Sequence, residues 1–232
     1  LSEAFCEELV HQELDDTNAY IEIPEAIRKG KEDATKKLIE VKNVTFCYGD
    51  YTALKDISFD LYEGERIAVV GKNGAGKSTL AKLLCGIIRP TRGQILIEGE
   101  DYLKYSIKEL GEIVGYVMQN PNQMLVKDII REEIELALKL NGFPEEVIGQ
   151  RVEDTLRIAG LYPMRNWPVS VLSYGQKKRV TIASILALQP KVIILDEPTS
   201  GLDPRGMAEM REILKNLRRD TNDLTIMMSS HI

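Results

Sequence analysis

One stretch constrains this chain more than any other: Gly71-Lys72-Asn73-Gly74-Ala75-Gly76-Lys77-Ser78-Thr79. It fits the pattern G-x-x-x-x-G-K-S. It follows Arg66–Val70, a short apolar segment that reads as a strand, and runs into Thr79–Leu84, which reads as a helix. Strand, glycine-rich turn and helix start are the context the pattern requires. The glycines let successive backbone N–H groups point inward at a chain of phosphates. The helix start adds free donors and the positive end of its dipole. Lys77 would place its charge on the outer phosphates, and the Ser78 hydroxyl can ligate Mg2+. The competing reading is a chance turn, and the flanking elements argue against it.

A second constraint lies downstream. Val192-Ile-Ile-Leu195 is an unbroken apolar run, as expected for a strand covered on both faces of a parallel sheet. It ends in Asp196-Glu197-Pro198. By itself a strand-end Asp-Glu is no better than a solvated surface pair. Behind a phosphate loop it gains two roles: Asp196 to hold Mg2+, and Glu197 to orient and polarise an attacking water.

The remaining elements place these motifs on an α/β chain. Leu38–Tyr48, Ile57–Leu61, Gln94–Glu98 and Gly115–Met118 read as strands, and Leu224–Ser229 as a last one. Asp128–Leu140, Pro144–Ala159, Ser173–Leu188 and Pro204–Arg219 carry helical periodicity. Residues 1–37 differ in character. Ser2–Asp16 predicts a helix with Phe5, Leu9 and Val10 on one side; Ile23-Pro24 breaks the pattern, and Arg28–Lys37 is charged. These 37 residues hold ten acids and five bases, so −5 of the net −6. The rest is close to neutral, which argues against nucleic-acid binding through bulk positive charge. Cys6, Cys47 and Cys85 have no metal-ligand spacing and read as reduced thiols. No apolar run reaches the roughly 18–20 residues that span a bilayer, and no secretory signal is evident. Leu1 is not a methionine and Ile232 follows His231 directly, so the chain reads as a fragment, cut short at its C-terminus.

Between the two nucleotide motifs lies Leu172-Ser173-Tyr174-Gly175-Gln176. From about Leu38 to His231 the sequence resembles the ATP-binding cassette ATPases, whose signature is Leu-Ser-Gly-Gly-Gln. Tyr174 stands where the family has its first glycine. The resemblance implies a P-loop (RecA-like) core, an antiparallel β subdomain, and an inserted α-helical subdomain at about residues 119–188, all within a domain spanning 38–232. It implies ATP and Mg2+ as ligands, with Asn73, Gly74, Gly76, Lys77, Ser78 and Thr79 on the phosphates. Ser173, Gly175 and Gln176 would cap the γ-phosphate held by an opposite cassette. Gln119 resembles the glutamine that contacts Mg2+ and the attacking water. Asp203, in Ser200-Gly-Leu-Asp203, resembles a loop residue at the dimer interface. His231 resembles the switch histidine, and Tyr48 the aromatic residue that stacks on adenine.

The finer resemblance concerns the type of cassette. Gln119-Asn-Pro-Asn-Gln-Met124 resembles the corresponding loop of energy-coupling-factor cassettes, which drive vitamin and metal uptake. Gly160–Pro168 and Leu172–Val180 resemble the second cassette of tandem chains, with residues 1–37 as linker or flanking helix. That resemblance implies a second cassette, an integral membrane coupling protein and a substrate-capture membrane protein as partners. The chain would then lie in the cytoplasm, peripheral on the inner face of the cell membrane. The imported molecule would be a vitamin or its precursor, such as a thiamine-related pyrimidine, or a metal ion. A soluble cassette acting on nucleic acid or ribosomes is the other reading. Roughly one hundred residues separate Gly76 from Ser173 with no long heptad run, and the leader is acidic rather than basic; both disfavour it. A structural domain without turnover conflicts with Lys77, Asp196 and Glu197.

Overall fold

The computed structural model describes residues 9–14, 19–24, 36–220 and 224–230. In chain order, β1 (Leu9–Leu14) and β2 (Ala19–Pro24) precede β3 (Lys37–Tyr48), β4 (Tyr51–Tyr62) and β5 (Arg66–Gly71). Helix α1 (Lys77–Leu84) follows, then β6 (Arg92–Ile97), β7 (Glu100–Asp101), α2 (Ile107–Ile113) and β8 (Val114–Val117). Helices α3 (Ile130–Leu140), α4 (Glu145–Ile158) and α5 (Tyr174–Leu186) come next. The described chain closes with β9 (Val192–Leu195), α6 (Pro204–Asp220) and β10 (Thr225–Ser230).

Two sheets result. Strands β5, β10, β9 and β8 are parallel neighbours, with β1 and β2 added antiparallel beyond β5. The other sheet is antiparallel, in the order β4-β3-β6-β7. Strand β9 explains why the parallel sheet sits at the centre. All four of its residues are buried, and alternation sends them to opposite faces. Val192 and Ile194 join the core shared with α1 and the antiparallel sheet. Ile193 and Leu195 join the core beneath α5 and α6.

Helices α3, α4 and α5 hold a third cluster. Ile130, Ile134 and Leu138 meet Ile148, Val152 and Leu156 and the inner positions Val180, Ala183 and Ala187. The spacing by four residues is the helical stripe read in the sequence. Truncating a fully buried member such as Leu138 to alanine costs about 2–5 kcal/mol by the usual sum of lost transfer energy and cavity.

Three features depart from the sequence reading. The helix expected over Ser2–Asp16 is not formed at Leu9–Leu14, which is strand β1; Ser2–Glu8 lie outside the described residues. The apolar stripe there was short, and pairing in a hairpin with β2, itself on the β5 edge, gives its backbone groups partners that weak helical propensity cannot outweigh. Strand β4 begins six residues before the expected Ile57, because its first half pairs with β3 through an irregular register. Helix α2 is the third, with no counterpart among the helices expected from periodicity. Its signal was present as Ser106-Ile-Lys-Glu109: the Ser106 hydroxyl accepts from the Glu109 N–H, and the Glu109 carboxylate accepts from the Ser106 N–H.

Candidate active site

The glycine-rich turn lies between the end of β5 and the start of α1. Gly74 and Gly76 both take left-handed backbone conformations, φ 85° and 86°. At Gly76 a Cβ would also lie 2.7 Å from the Ala53 carbonyl oxygen and 2.7 Å from Leu54 Cδ2. The antiparallel sheet thus presses β4 against the turn, and only glycine fits there. Lys77, only 5% exposed, folds back over the loop. Its Nζ donates to the carbonyls of Gly71 at 2.8 Å and Lys72 at 3.0 Å, and lies 3.5 Å from Glu197 Oε1. Asn73 is in the exposed part of the turn, and Ser78 and Thr79 are the second and third residues of α1.

Opposite Lys77 is the end of β9. Asp196 is buried, and both its carboxylate oxygens accept hydrogen bonds. Ser229 Oγ donates to Oδ1 at 2.7 Å, and Tyr116 OH donates to Oδ2 at 3.1 Å. The Ser229 hydroxyl oxygen also accepts from the Glu197 N–H at 2.8 Å. Burial and the adjacent Asp196 charge push the Tyr116 phenol well above its ordinary pKa, so it stays a donor.

Glu197 has φ 48°, a left-handed conformation that costs a non-glycine residue on the order of 1 kcal/mol or more. The surroundings hold it there. Lys178 Nζ, from the second turn of α5, donates to the carbonyls of Glu197 at 2.7 Å, Pro198 at 3.3 Å and Ser200 at 2.8 Å. The Gln119 amide reaches in from beyond β8, donating through Nε2 to Glu197 Oε2 at 2.9 Å and to Ser200 Oγ at 3.5 Å. Burial lowers the Lys178 pKa to about 8, against the pull of the Glu197 and Asp196 carboxylates.

The signature-like segment starts α5. Ser173 is its N-cap and forms a reciprocal pair with Gln176: the Gln176 N–H donates to Ser173 Oγ, and Gln176 Oε1 accepts from the Ser173 N–H. Gly175 lies against Leu202, where an added Cβ would be 3.4 Å from Leu202 Cδ2. Tyr174 takes a defined place: its hydroxyl donates to the Gln119 carbonyl at 3.3 Å, and its ring packs over Gly201.

The structure therefore brings Lys77, Gln119, Asp196 and Glu197 together, while Ser173, Gly175 and Gln176 stand at the start of α5, Ser173 exposed and Gly175 against Leu202. Tyr48 is half-exposed at the tip of the β3–β4 hairpin, edge-on to Phe46 with ring centroids 4.7 Å apart. Asp203 caps α6, its Oδ1 accepting from the Gly206 N–H at 2.8 Å. His231, next after β10, lies outside the described residues. Sequence reasoning missed Tyr116, Lys178 and Ser229. Tyr116 is the single polar residue of β8, Ser229 is one of two adjacent serines ending β10, and Lys178 is one of three consecutive bases; none carries a spacing signal.

The oxygen donors here suit Mg2+. Among the described residues no group of three or more His, Cys, Asp or Glu side chains forms a metal cluster. An ion beside Asp196 would instead rely on one carboxylate, the Ser78 hydroxyl, the Gln119 side-chain amide oxygen and the oxygens of a bound triphosphate. That sparse hard-oxygen set is how Mg2+ is held with nucleotides.

A phosphate loop whose lysine faces a strand-end Asp-Glu pair, on a parallel sheet flanked by helices, defines a P-loop nucleotide hydrolase. Residues 54–200 match the ABC transporter family, and the chain belongs to that family. It is 51% identical over 197 residues to a provisionally named ABC transporter ATP-binding protein of Enterococcus faecalis, covering 84% of this chain and 34% of that protein. A similarly named protein of Clostridium perfringens is 50% identical over 205 residues, 88% of this chain and 35% of its own length. The chain thus spans about a third of the length of the curated relatives it matches. Among solved structures, cbiO1 of Clostridium perfringens, part of the ABC transporter complex cbiONQ, superposes with a TM-score of 0.76 at 35% identity, over 85% of this chain and 80% of that one. The dimeric ATP-binding cassette MJ0796, in a post-hydrolysis state with ADP and Pi, gives 0.71 at 28% identity, over 83% and 88%.

Proposed function

We propose that this chain is one cassette of a two-cassette ATPase that powers import of a small molecule through a membrane coupling protein. The observation that carries the ATPase reading is the meeting of Lys77, Glu197 and Gln119, with Lys77 Nζ 3.5 Å and Gln119 Nε2 2.9 Å from the two Glu197 oxygens. A cation for phosphate charge and an amide to orient water thus flank the two oxygens of the carboxylate that would take the proton.

The division of labour follows from the residues. Gly74, Gly76 and the backbone donors from Asn73 to Thr79 receive the phosphates, and Lys77 neutralises the outer two. Tyr48 offers its ring to the adenine. Ser78, Gln119 and Asp196 would hold Mg2+, which when bound draws charge from the β- and γ-phosphates. Glu197 accepts a proton from the attacking water, and Gln119 fixes that water's position. His231 contacts the γ-phosphate. Ser173, Gly175 and Gln176 act on the nucleotide of the opposite cassette, at a helix start whose N–H groups suit an anion, and Asp203 lies at the interface between the two. Closure of the pair excludes water and completes the set.

Two comparisons support the wider assignment. The match covers only about a third of the relatives' length, which leaves room for a second cassette. The cbiO1 structure is part of an ABC transporter complex, cbiONQ, which supports an energy-coupling-factor type of importer with membrane partners, a substrate-capture protein among them. Such partners would place the chain peripherally on the inner face of the membrane; no described helix is long and apolar enough to cross a membrane. The test is purification of the full-length chain in mild detergent. A co-purifying polytopic membrane protein, lost when Gln119–Met124 is altered, supports the importer. Recovery of ribosomes or nucleic acid alone overturns it.

A further inference from the structure

We propose that Tyr116 is a positioning residue for the Asp196 carboxylate, and through it for the divalent cation of the nucleotide site. The inference rests on the ATPase reading above and adds a member to that site.

The sheet makes the placement. Strand β8 pairs in parallel with β9, Tyr116 beside Ile194 and Val117 beside Leu195. Val117 and Leu195 point to the face covered by α5 and α6. Ile194 belongs to the opposite face, and Tyr116 packs against the core on that face. Alternation puts Asp196 on that face as well. Met227 belongs there too, so Ser229 follows it. Tyr116, Asp196 and Ser229 thus come from three adjacent strands and share the face that α1 and the phosphate loop cover.

The chemistry follows from the hydrogen bonds. Asp196 is 3% exposed, so its charge depends on protein donors rather than water. One donor is given to each oxygen: Ser229 to Oδ1 at 2.7 Å and Tyr116 to Oδ2 at 3.1 Å. Together they fix the carboxylate plane and leave a second lone pair on each oxygen for a cation or its water. Ser229 is additionally engaged with the Glu197 N–H at 2.8 Å. Tyr116 has no second hydrogen bond to the acidic loop, so its effect is confined to Asp196. Partners that orient a metal-holding ligand typically contribute 10- to 100-fold to metal affinity.

The experiment is Tyr116→Phe in the full-length chain, which removes the hydroxyl and keeps the ring. Mn2+ is titrated by electron paramagnetic resonance into protein saturated with a non-hydrolysable ATP analogue. Analogue binding is measured separately in EDTA, and thermal unfolding of the apo protein alongside. The expected result is Mn2+ affinity weakened by roughly 10-fold or more, with metal-free nucleotide affinity unchanged. Mn2+ affinity within two-fold of the parent overturns the proposal, as does an equal loss of both affinities, which marks a general packing role. Failure of the parent protein to bind Mn2+ with nucleotide would instead overturn the ATPase reading. Should the phenylalanine variant not fold, fluorotyrosine at position 116 keeps the shape. Its fluorine resonance is expected to move when Mg2+ joins bound nucleotide, and a stationary resonance overturns the proposal.

Discussion

Glu197 sits in a left-handed conformation because the groups around it leave little choice. Ser229 accepts its N–H, Lys178 donates to its carbonyl, and Gln119 and Lys77 flank its two carboxylate oxygens. Its chemistry and its backbone are therefore separable. Glu197→Gln keeps the shape but cannot take a proton, and it leaves one of the two donors, Lys77 or Gln119, facing an amide NH2. Phosphate release should fall by about 10²–10⁴-fold while ATP binding in a filter assay is retained; undiminished turnover would remove Glu197 from its assigned role. Lys178 gives a pH prediction. With its pKa lowered to about 8 by burial, the ammonium loses a proton as pH rises through that value, and one of three loop carbonyls loses its donor. Turnover should decline between about pH 7.5 and 9, and Lys178→Met should be slower but flat across that window. Stability runs the other way. The unfolded lysine titrates near its ordinary 10.5, so the unfolded chain binds the additional proton between about 8 and 10.5. Unfolding free energy therefore rises with pH there and is lowest below it.

Among elements, α5 carries the most functions in the fewest residues. Its first turn is closed by the Ser173–Gln176 capping pair, its second sends Lys178 into the acidic loop, and its later turns fill two cores. Ser173→Ala removes the cap and should cost about 1 kcal/mol, lowering the melting temperature by roughly 2–4 °C for a chain of this size. Ser173→Asn should recover most of it, because asparagine also caps. A calorimetric scan of the three proteins decides this. The helices were legible because their apolar stripes recur at three and four. Strand β9 was legible because an all-apolar run of four followed by acids has few other uses. Helix α2 is seven residues long, too short for a periodic stripe, and only its capping pair announced it. Leu9–Leu14 failed for the opposite reason: a stripe was present, but pairing with β2, which the sequence gives no sign of, overrode it.

For the whole molecule, the site was readable where chemistry imposes spacing and unreadable where three dimensions assemble it. Lys77, Asp196 and Glu197 announce themselves in motifs. Tyr116 and Ser229 converge on Asp196 from positions 80 and 33 residues distant. At this scale the proposed pairing gives its own prediction. Glu197→Gln protein with millimolar ATP and Mg2+ should sediment as a two-cassette complex and return to single cassettes on addition of EDTA. Sedimentation independent of nucleotide would contradict a pair held together by ATP.

The reach of Lys178 has a further consequence. Helix α5 begins where an opposite cassette would place its nucleotide, and within two turns its ammonium grips the loop of its own catalytic carboxylate. A helix of 13 residues is a stiff rod at this length. On the two-cassette reading, a shift of the first turn would pass through the second, at the same end of the helix, to the loop that carries Glu197.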